Sequence, residues 1–344
     1  MLRVEYARYR CSRNILKKFL KTMSTGTKES RYELRKILER ILMGMANINP
    51  NTVYVRMSVR HKLIRQAMVE LMSKPTIKSS ICWLQQKVKE IVLEPTKLFL
   101  TIRTHHKLPV SPSKLTYVNN TICYHRIKLP VTERCLTYLK TFPNSTVLRM
   151  VLRYASVLPG GQHWGVGLEM YEHLYNKYGI RFEGFATPLN SRLMGRPDAY
   201  FCSMFKDTDT PFGSLGTFFK VNMINPTKRS SNNNKIAWTV NPPYIDHIMT
   251  KSARKVHKAC IEADKNGIEL MVFFIMPGWT DSTCYDILSK SKYKRKEVKL
   301  FKGKHKYEYQ NKQIVARFNS YVFVLDTMKK TVDYSDICCK MNCG

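Results

Sequence analysis

Asn241, Pro242, Pro243 and Tyr244 stand directly after the apolar run Ile236-Ala237-Trp238-Thr239-Val240. The run reads as a strand, and two prolines cannot continue a hydrogen-bonded ladder, so the chain must leave in a rigid extended turn at the carboxyl edge of a sheet. The Asn241 side-chain oxygen and the Pro242 carbonyl are two acceptors in such a turn. An exocyclic amine of adenine offers two N–H donors, and paired acceptors would hold it with the nitrogen lone pair toward a methyl donor. Tyr244 supplies a flat face on which the base can stack. Asn is neutral and is no strong base, so the tetrapeptide contributes orientation and stabilises charge building on nitrogen. A Pro-Pro turn with no ligand is the structural alternative.

A second candidate stretch runs from Arg181 to Asn190, including Glu183, Phe185 and Ala186. It begins as a buried strand and breaks into a proline-containing turn, where backbone can approach a cofactor. The glycines of G-x-G-x-x-G are absent, which argues against NAD. Asp207 and Asp209 lie 24 and 26 residues beyond Glu183. Acids at that offset suit ribose hydroxyls, and both equally suit the turn before Thr210-Pro211-Phe212-Gly213.

The elements that position these residues are readable in outline. Before the Asn241 turn and after it, short apolar strands are expected at Ile180 to Ala186, Tyr200 to Phe205, Lys235 to Val240, Leu270 to Met276 and Ser320 to Leu325. Helices are expected at Met170 to Tyr178 and Tyr244 to Asp264. This alternation predicts an α/β fold, an open parallel sheet covered on both faces, with ligands at the carboxyl ends of its strands. The first 145 residues read as a basic, mainly helical domain. Its apolar stripes are Leu34, Ile37, Leu38, Ile41 and Leu42 after a Ser30/Glu33 capping box, then Leu63 to Leu71, then Ile81 to Val92. Lys107 to Asn120 reads as a loop, and Val131 to Phe142 and Ser145 to Leu158 as helices. The α/β domain spans 146–335, interrupted by a polar insert at Pro226 to Lys235, and a Cys-containing tail occupies 336–344.

The 344 residues carry a formal charge of +33, a field that concentrates polyanions. Residues 1–150 hold 29 Lys and Arg against 8 Glu and no Asp. That half is therefore expected to track phosphates. The longest apolar run, Leu270 to Pro277, is far short of the roughly 18 residues a spanning helix needs. Ten cysteines are too few for a disulfide scaffold and read as buried thiols of an intracellular protein, in nucleus or cytoplasm. Cys338, Cys339 and Cys343 cluster without a fourth zinc ligand, and no metal is expected. The basic N-terminus reads as a helix in preference to a mitochondrial presequence.

Phe182 to Asn190, Cys202 to Asp209, Phe212 to Gly216, Asn241 to Tyr244 and Phe273 to Trp279 occur in an order and spacing that resembles the phosphorylated-CTD-interacting-factor family. The resemblance covers roughly residues 150–325. It implies cap-specific adenosine N6-methyltransferases that use S-adenosylmethionine, with a helical domain on a Rossmann-like core and capped RNA between them. The implied substrate is the adenosine after the 7-methylguanosine cap, usually 2′-O-methylated. Tyr244 stands where the animal proteins carry Phe, Asp246 where they carry Glu, and Trp279 on their Pro-x-Trp tryptophan. Asp246 and Trp279 are thereby implied as substrate contacts, although Trp279 can also be an interior residue at a strand end. Gln162, in Gly160 to Trp164, is implied at the cofactor border. The chain departs from the animal proteins in lacking paired-Trp spacing for a WW module, so contact with polymerase tails is not expected. Arg56, Arg60 and Arg65 are candidates for gripping the cap phosphates, or ordinary exposed helix arginines. The compact form also suits a viral or protist homologue. Two alternatives stay open: an adenine N6-methyltransferase of DNA or internal RNA, and an inactive RNA-binding subunit.

Overall fold

A computed structural model describes residues 2–22, 110–157, 165–227, 235–309 and 312–337. They belong to two units, Met1–Leu129 with Phe142–Gly160, and Pro130–Thr141 with Gly161–Gly344. The stripes expected at 34–42, 63–71 and 81–92, Arg56, Arg60, Arg65, Gln162, the centre of the polar insert and Cys338, Cys339 and Cys343 lie outside the described residues. Among the described residues no helix is long and apolar enough to cross a membrane.

The first unit contains helix α1 (Leu2–Thr22) and a three-stranded sheet in the order β1 (Thr116–Val118), β2 (Thr121–Tyr124) and β3 (Ile127–Pro130), with β1 and β2 antiparallel. The chain then passes through α2 (Glu133–Leu139), part of the second unit, and returns as α3 (Asn144–Ala155). The strands correct the loop expected over Lys107 to Asn120. Asn119 and Asn120 both adopt positive φ, 44° and 56°, the backbone a two-residue hairpin turn requires, and Asn tolerates it. Between α1 and α3 lies a buried triad. Glu5 accepts from Arg8 Nη1 at 2.6 Å and from Arg153 Nε and Nη2 at 2.9 and 2.5 Å. Charge taken out of water is tolerated here because each carboxylate oxygen meets a guanidinium.

The second unit adds α4 (Leu168–Lys177), β4 (Phe182–Glu183), β5 (Tyr200–Phe201), α5 (Lys206–Asp209) and β6 (Lys235–Val240). There follow α6 (Asp246–Lys265), β7 (Glu269–Pro277), α7 (Thr283–Ser289), β8 (Lys294–Leu300), the hairpin β9 (Lys306–Tyr309) and β10 (Lys312–Val315), and β11 (Ser320–Asp326). Six strands form one sheet in the order β5-β4-β6-β7-β11-β8. β5, β4, β6 and β7 are parallel, and β11 runs antiparallel to both β7 and β8. The sheet is thus mixed, which corrects the all-parallel expectation. β11 is buried at every position, and a strand buried on both faces carries no sequence mark of its direction.

Alternate residues of the central strands feed two cores. Trp238, Val240, Val272, Phe274 and Met276 pack with Met249, Ala253, Val256 and Cys260 of α6. Ala237, Met271, Phe273 and Ile275 pack with Met170, Tyr171 and Leu174 of α4. Burial pushes the thiols of Cys202, Cys260 and Cys284 up to about 12, so they are protonated packing groups.

Register gathers the loops that matter. Glu183 pairs with both Phe201 and Thr239, and Ser320 pairs with both Pro277 and Leu300. The carboxyl ends of β5, β4, β6, β7 and β8 and the start of β11 therefore share one edge. From β4 the chain builds β5 on one side and β6 on the other, so the strand order switches between β4 and β6, the place where open sheets bind ligands.

Candidate active site

The Asn241 turn leaves β6 at that switch. Pro242 is buried, and Asn241, Pro243 and Tyr244 are half-buried. The Pro243 carbonyl is used within the turn, accepting from Ile245 N at 2.7 Å. Among the described hydrogen bonds none ends on the Pro242 carbonyl. Asn241 Oδ1 is buried and has no hydrogen-bond partner among the described residues. A buried acceptor without a donor costs about 1–3 kcal/mol. The turn thus presents two acceptors that the described residues leave unused.

Tyr244 is held from the opposite side. Its hydroxyl donates to Tyr307 Oη at 2.7 Å, and its ring meets Tyr307 and Phe318 edge to face at 6.3 and 5.8 Å. The bond continues inward from Tyr307 Oη to Ser320 Oγ at 2.8 Å and from Ser320 Oγ to His305 Nε2 at 2.9 Å. His305 Nδ1 lies 2.8 Å from the Phe301 carbonyl. A carbonyl only accepts, so Nδ1 carries the hydrogen and Nε2 is the acceptor. Every hydroxyl from Tyr244 to Ser320 then donates in one direction, and the line ends at a neutral imidazole. Burial pushes the His305 pKa below its ordinary value and the Tyr244 pKa well above its own, so the line is uncharged. Sequence inspection missed Tyr307, Ser320 and His305, since only pairing of the strands brings them to Tyr244.

On the other side of β6, Gly184 N donates to Thr239 O at 2.7 Å. A Cβ at Gly184 would meet the Thr239 carbonyl and the Phe218 ring at 3.2 Å, so any side chain here would crowd both. The loop after β4 is organised by Glu183. Its buried Oε2 accepts from Ser191 Oγ at 2.9 Å and Arg192 N at 3.0 Å. Burial pushes the Glu183 pKa up, against those two hydrogen bonds and the Arg192 charge. Glu183 therefore acts through the loop it holds. Asn190 Oδ1 closes the same loop on Thr187 N and Oγ1 at 2.9 and 2.8 Å. Phe185 packs against Phe218 and Phe219, and Ala186 N donates to Cys202 O at 2.9 Å, tying the loop to β5. Asp207 is half-buried in α5, just after β5, whereas Asp209 is fully buried and accepts from Thr208 Oγ1 at 2.8 Å.

Asp246 is exposed in the first turn of α6, and Trp279 is 41% exposed just beyond β7. Trp279 is therefore not an interior residue. The edge thus gathers the Asn241 turn, Glu183, Phe185, Ala186, Asn190, Asp207 and Trp279. Sequence inspection also missed the buried Arg192, whose Nη1 lies 3.2 Å from Glu308 Oε1 of β9. Glu308 Oε2 accepts in turn from Leu168 N at the start of α4, so a single carboxylate binds the β4 loop to the α4 start.

Comparison with known proteins falls on these same elements. A mouse protein named mRNA (2′-O-methyladenosine-N(6)-)-methyltransferase is 24% identical over 176 residues, 49% of this chain and 22% of its own length. The human protein of that name matches to the same extent. The chain thus spans about a fifth of the length of these curated relatives. The sequence model of the family described as "Phosphorylated CTD interacting factor 1 WW domain" matches residues 132–310. Although that description names a WW domain, the matched residues here run from α2 to β9 and include five of the six sheet strands and the Asn241 turn. With more than half of its length matched, and the matched half being the one that builds this edge, the chain belongs to the phosphorylated CTD interacting factor 1 family.

Proposed function

We propose that this chain is an S-adenosylmethionine-dependent RNA methyltransferase that modifies N6 of the adenosine following a 7-methylguanosine cap. The observation that carries the reading is the buried, partnerless Asn241 Oδ1, set beside an aromatic face at the strand-order switch. The mostly parallel sheet supports a Rossmann-like methyltransferase core, and the curated relatives' name supports the reaction.

The residues present fit the cofactor. Gly184 draws β4 against β6, and the loop after β4, with Phe185, Ala186 and Asn190, is fixed by Glu183 from beneath. Asp207, after β5, would accept ribose hydroxyls, and Gln162 would border the same site. Bound there, S-adenosylmethionine supplies a methyl group carried on a sulfonium. Asn241 Oδ1 and the Pro242 carbonyl accept the two hydrogens of N6 and so direct its lone pair outward. Tyr244 covers the purine face, held in place by Tyr307. As positive charge grows on nitrogen, the same two acceptors strengthen their hold on its N–H bonds. The turn contains no group that would remove a proton beforehand. Asp246 and Trp279, and from the basic N-terminal part of the sequence Arg56, Arg60 and Arg65, would contact the cap and its phosphates. A polymerase tail is no part of this reading, since the family match lies on the sheet.

The test is methyl transfer to matched capped and uncapped RNAs beginning with adenosine, with the product nucleoside identified after digestion. Transfer to N6 of the first nucleotide of capped RNA alone is expected. Equal rates on capped and uncapped strands would replace this reading with an adenine methyltransferase of internal RNA or DNA. Calorimetry that detected no S-adenosylmethionine binding would replace it with an inactive RNA-binding subunit.

A further inference from the structure

Residues 290–312 contain ten Lys and Arg against two Glu, and the structure divides them sharply. Near the start of β8, away from the active edge, Lys292, Lys294 and Arg295 pair with Asp264, Glu297 and Asp326. Toward the active edge, Lys299, Lys302, Lys304 and Lys306 are exposed, and none makes an ion pair with a described residue. Arg317, just before β11, is exposed as well. Positive charge is therefore neutralised at one end of the strand and left open at the other.

Two exposed aromatic residues accompany the open end. Trp279 follows β7, and Phe301 follows β8 with 53% of its surface exposed. One residue clamps both loops. Asn319 O accepts from Gly278 N at 2.6 Å, and Asn319 Oδ1 accepts from Lys302 N at 2.8 Å. Position 278 must be glycine for this approach, because a Cβ there would lie 2.8 Å from Asn319 Cβ and 2.9 Å from its carbonyl oxygen. Lys299 Nζ lies 5.4 Å from the centre of the Phe301 ring. Exposed rings beside cations that no described carboxylate pairs are what a single-stranded nucleic acid needs, with bases stacking on the rings and phosphates meeting the ammonium groups.

We infer that Phe301, Lys302, Lys304 and Arg317 form a track for the single-stranded RNA that continues beyond the methylated nucleotide. The inference rests on the methyltransferase reading for its direction, because the track begins on the edge that holds Asn241. An acidic protein segment would use the lysines but leave both rings unused.

The experiment uses the full chain and an uncapped 20-nucleotide RNA of mixed sequence, followed by fluorescence anisotropy over a salt series. Two surface variants are compared, Phe301→Ala and the double variant Lys302→Glu/Lys304→Glu, each checked for an unchanged melting temperature. Phe301→Ala should weaken RNA binding about tenfold. The double variant should also flatten the dependence of log K on log salt by about 1.4, the share of two single-strand phosphate contacts. The ratio of kcat/KM on a long capped RNA to that on a capped dinucleotide should fall in both. Unchanged RNA affinity in both variants overturns the track. So does an abasic oligomer, or an oligophosphoserine peptide, that binds the wild type as tightly as RNA does. RNA binding that responds to the variants in a protein that transfers no methyl group would sink the enzymatic reading and leave the track standing.

Discussion

The hydroxyl of Tyr244 donates to the hydroxyl of Tyr307 at 2.7 Å, and this bond joins the diproline turn after β6 to a strand that belongs to a separate hairpin. The hydroxyl that distinguishes Tyr244 from Phe has a buried acceptor in this fold. The two ends of the bond are not equivalent. Tyr244→Phe removes a donor and keeps the stacking ring, so methyl transfer should fall by no more than a few-fold. Tyr307→Phe strands the Tyr244 hydroxyl in a buried site, at about 1–3 kcal/mol, and leaves the ring free to turn. Its kcat should fall further than that of Tyr244→Phe, with melting lowered too. The reverse order of the two kcat values would show that the hydroxyl itself matters to the reaction.

A second prediction concerns pH. His305 accepts from Ser320 only while neutral, and burial holds its pKa below the ordinary 6.5. The unfolded chain therefore takes up the proton first as pH falls. Above about 6.5 both states are neutral and the group contributes no slope; below it, stability should decline until the folded pKa is reached. Protonation also turns Nε2 into a donor, so the Ser320 hydroxyl loses its acceptor and the line from Tyr244 reverses. Melting temperature and kcat should fall together on the acid side in the wild type. Both declines should be shallower in His305→Gln, and an identical acid limb in that variant would remove His305 from the account.

The sequence showed the centre of this fold more clearly than its margins, for physical reasons. β6 was legible to the residue, because Lys235 and Asn241 bound an apolar run and two prolines end it. β7 and α6 were legible for similar reasons, a long apolar run and a helical stripe. β8, Lys-Arg-Lys-Glu-Val-Lys-Leu, was not, because an edge strand dressed in lysines protects itself from pairing and thereby hides its period. The first hairpin was hidden because two asparagines supply its turn where glycine is usually sought. β4 and β5 came out shorter than expected, since pairing beyond Glu183 passes into the irregular bonds of Gly184 and Ala186. At the candidate site, the turn was visible because its residues are contiguous. Tyr307, Ser320, His305 and Asn319 were not, because each lies more than 60 residues from the turn it supports or meets its partner only across paired strands.

The buried triad makes a prediction about the first unit alone. Glu5 balances Arg8 and Arg153, and Arg153 is fully buried. Glu5→Ala would remove the carboxylate that both buried guanidiniums meet, and breaking a buried ion pair costs up to about 3–5 kcal/mol. Hydrogen exchange should then rise across α1 and α3, while amides of β6 and β7 keep their protection. Loss of protection in the central strands to the same degree would mean that the two units do not unfold separately.

Asn241 sets stability against activity in a way that few positions do. Its side-chain oxygen is buried with no donor among the described residues, so the folded protein bears a desolvation cost for an acceptor that those residues do not use. Replacement by Ala removes that acceptor, and melting should stay level or rise by the equivalent of about 1–3 kcal/mol. The same substitution should lower kcat by about 10²–10³, the usual effect of deleting one oriented partner of a reacting centre, while RNA affinity is retained. Asn241→Asp keeps the acceptor and should retain more activity than Ala, at a cost in melting, because an ionised carboxylate in that place is poorly solvated. Methyl-transfer rates and thermal melts on the three proteins decide the matter. An Asn241→Ala protein that turns over normally would end the proposal, and one that melts earlier would mean that the oxygen does find a partner within the fold.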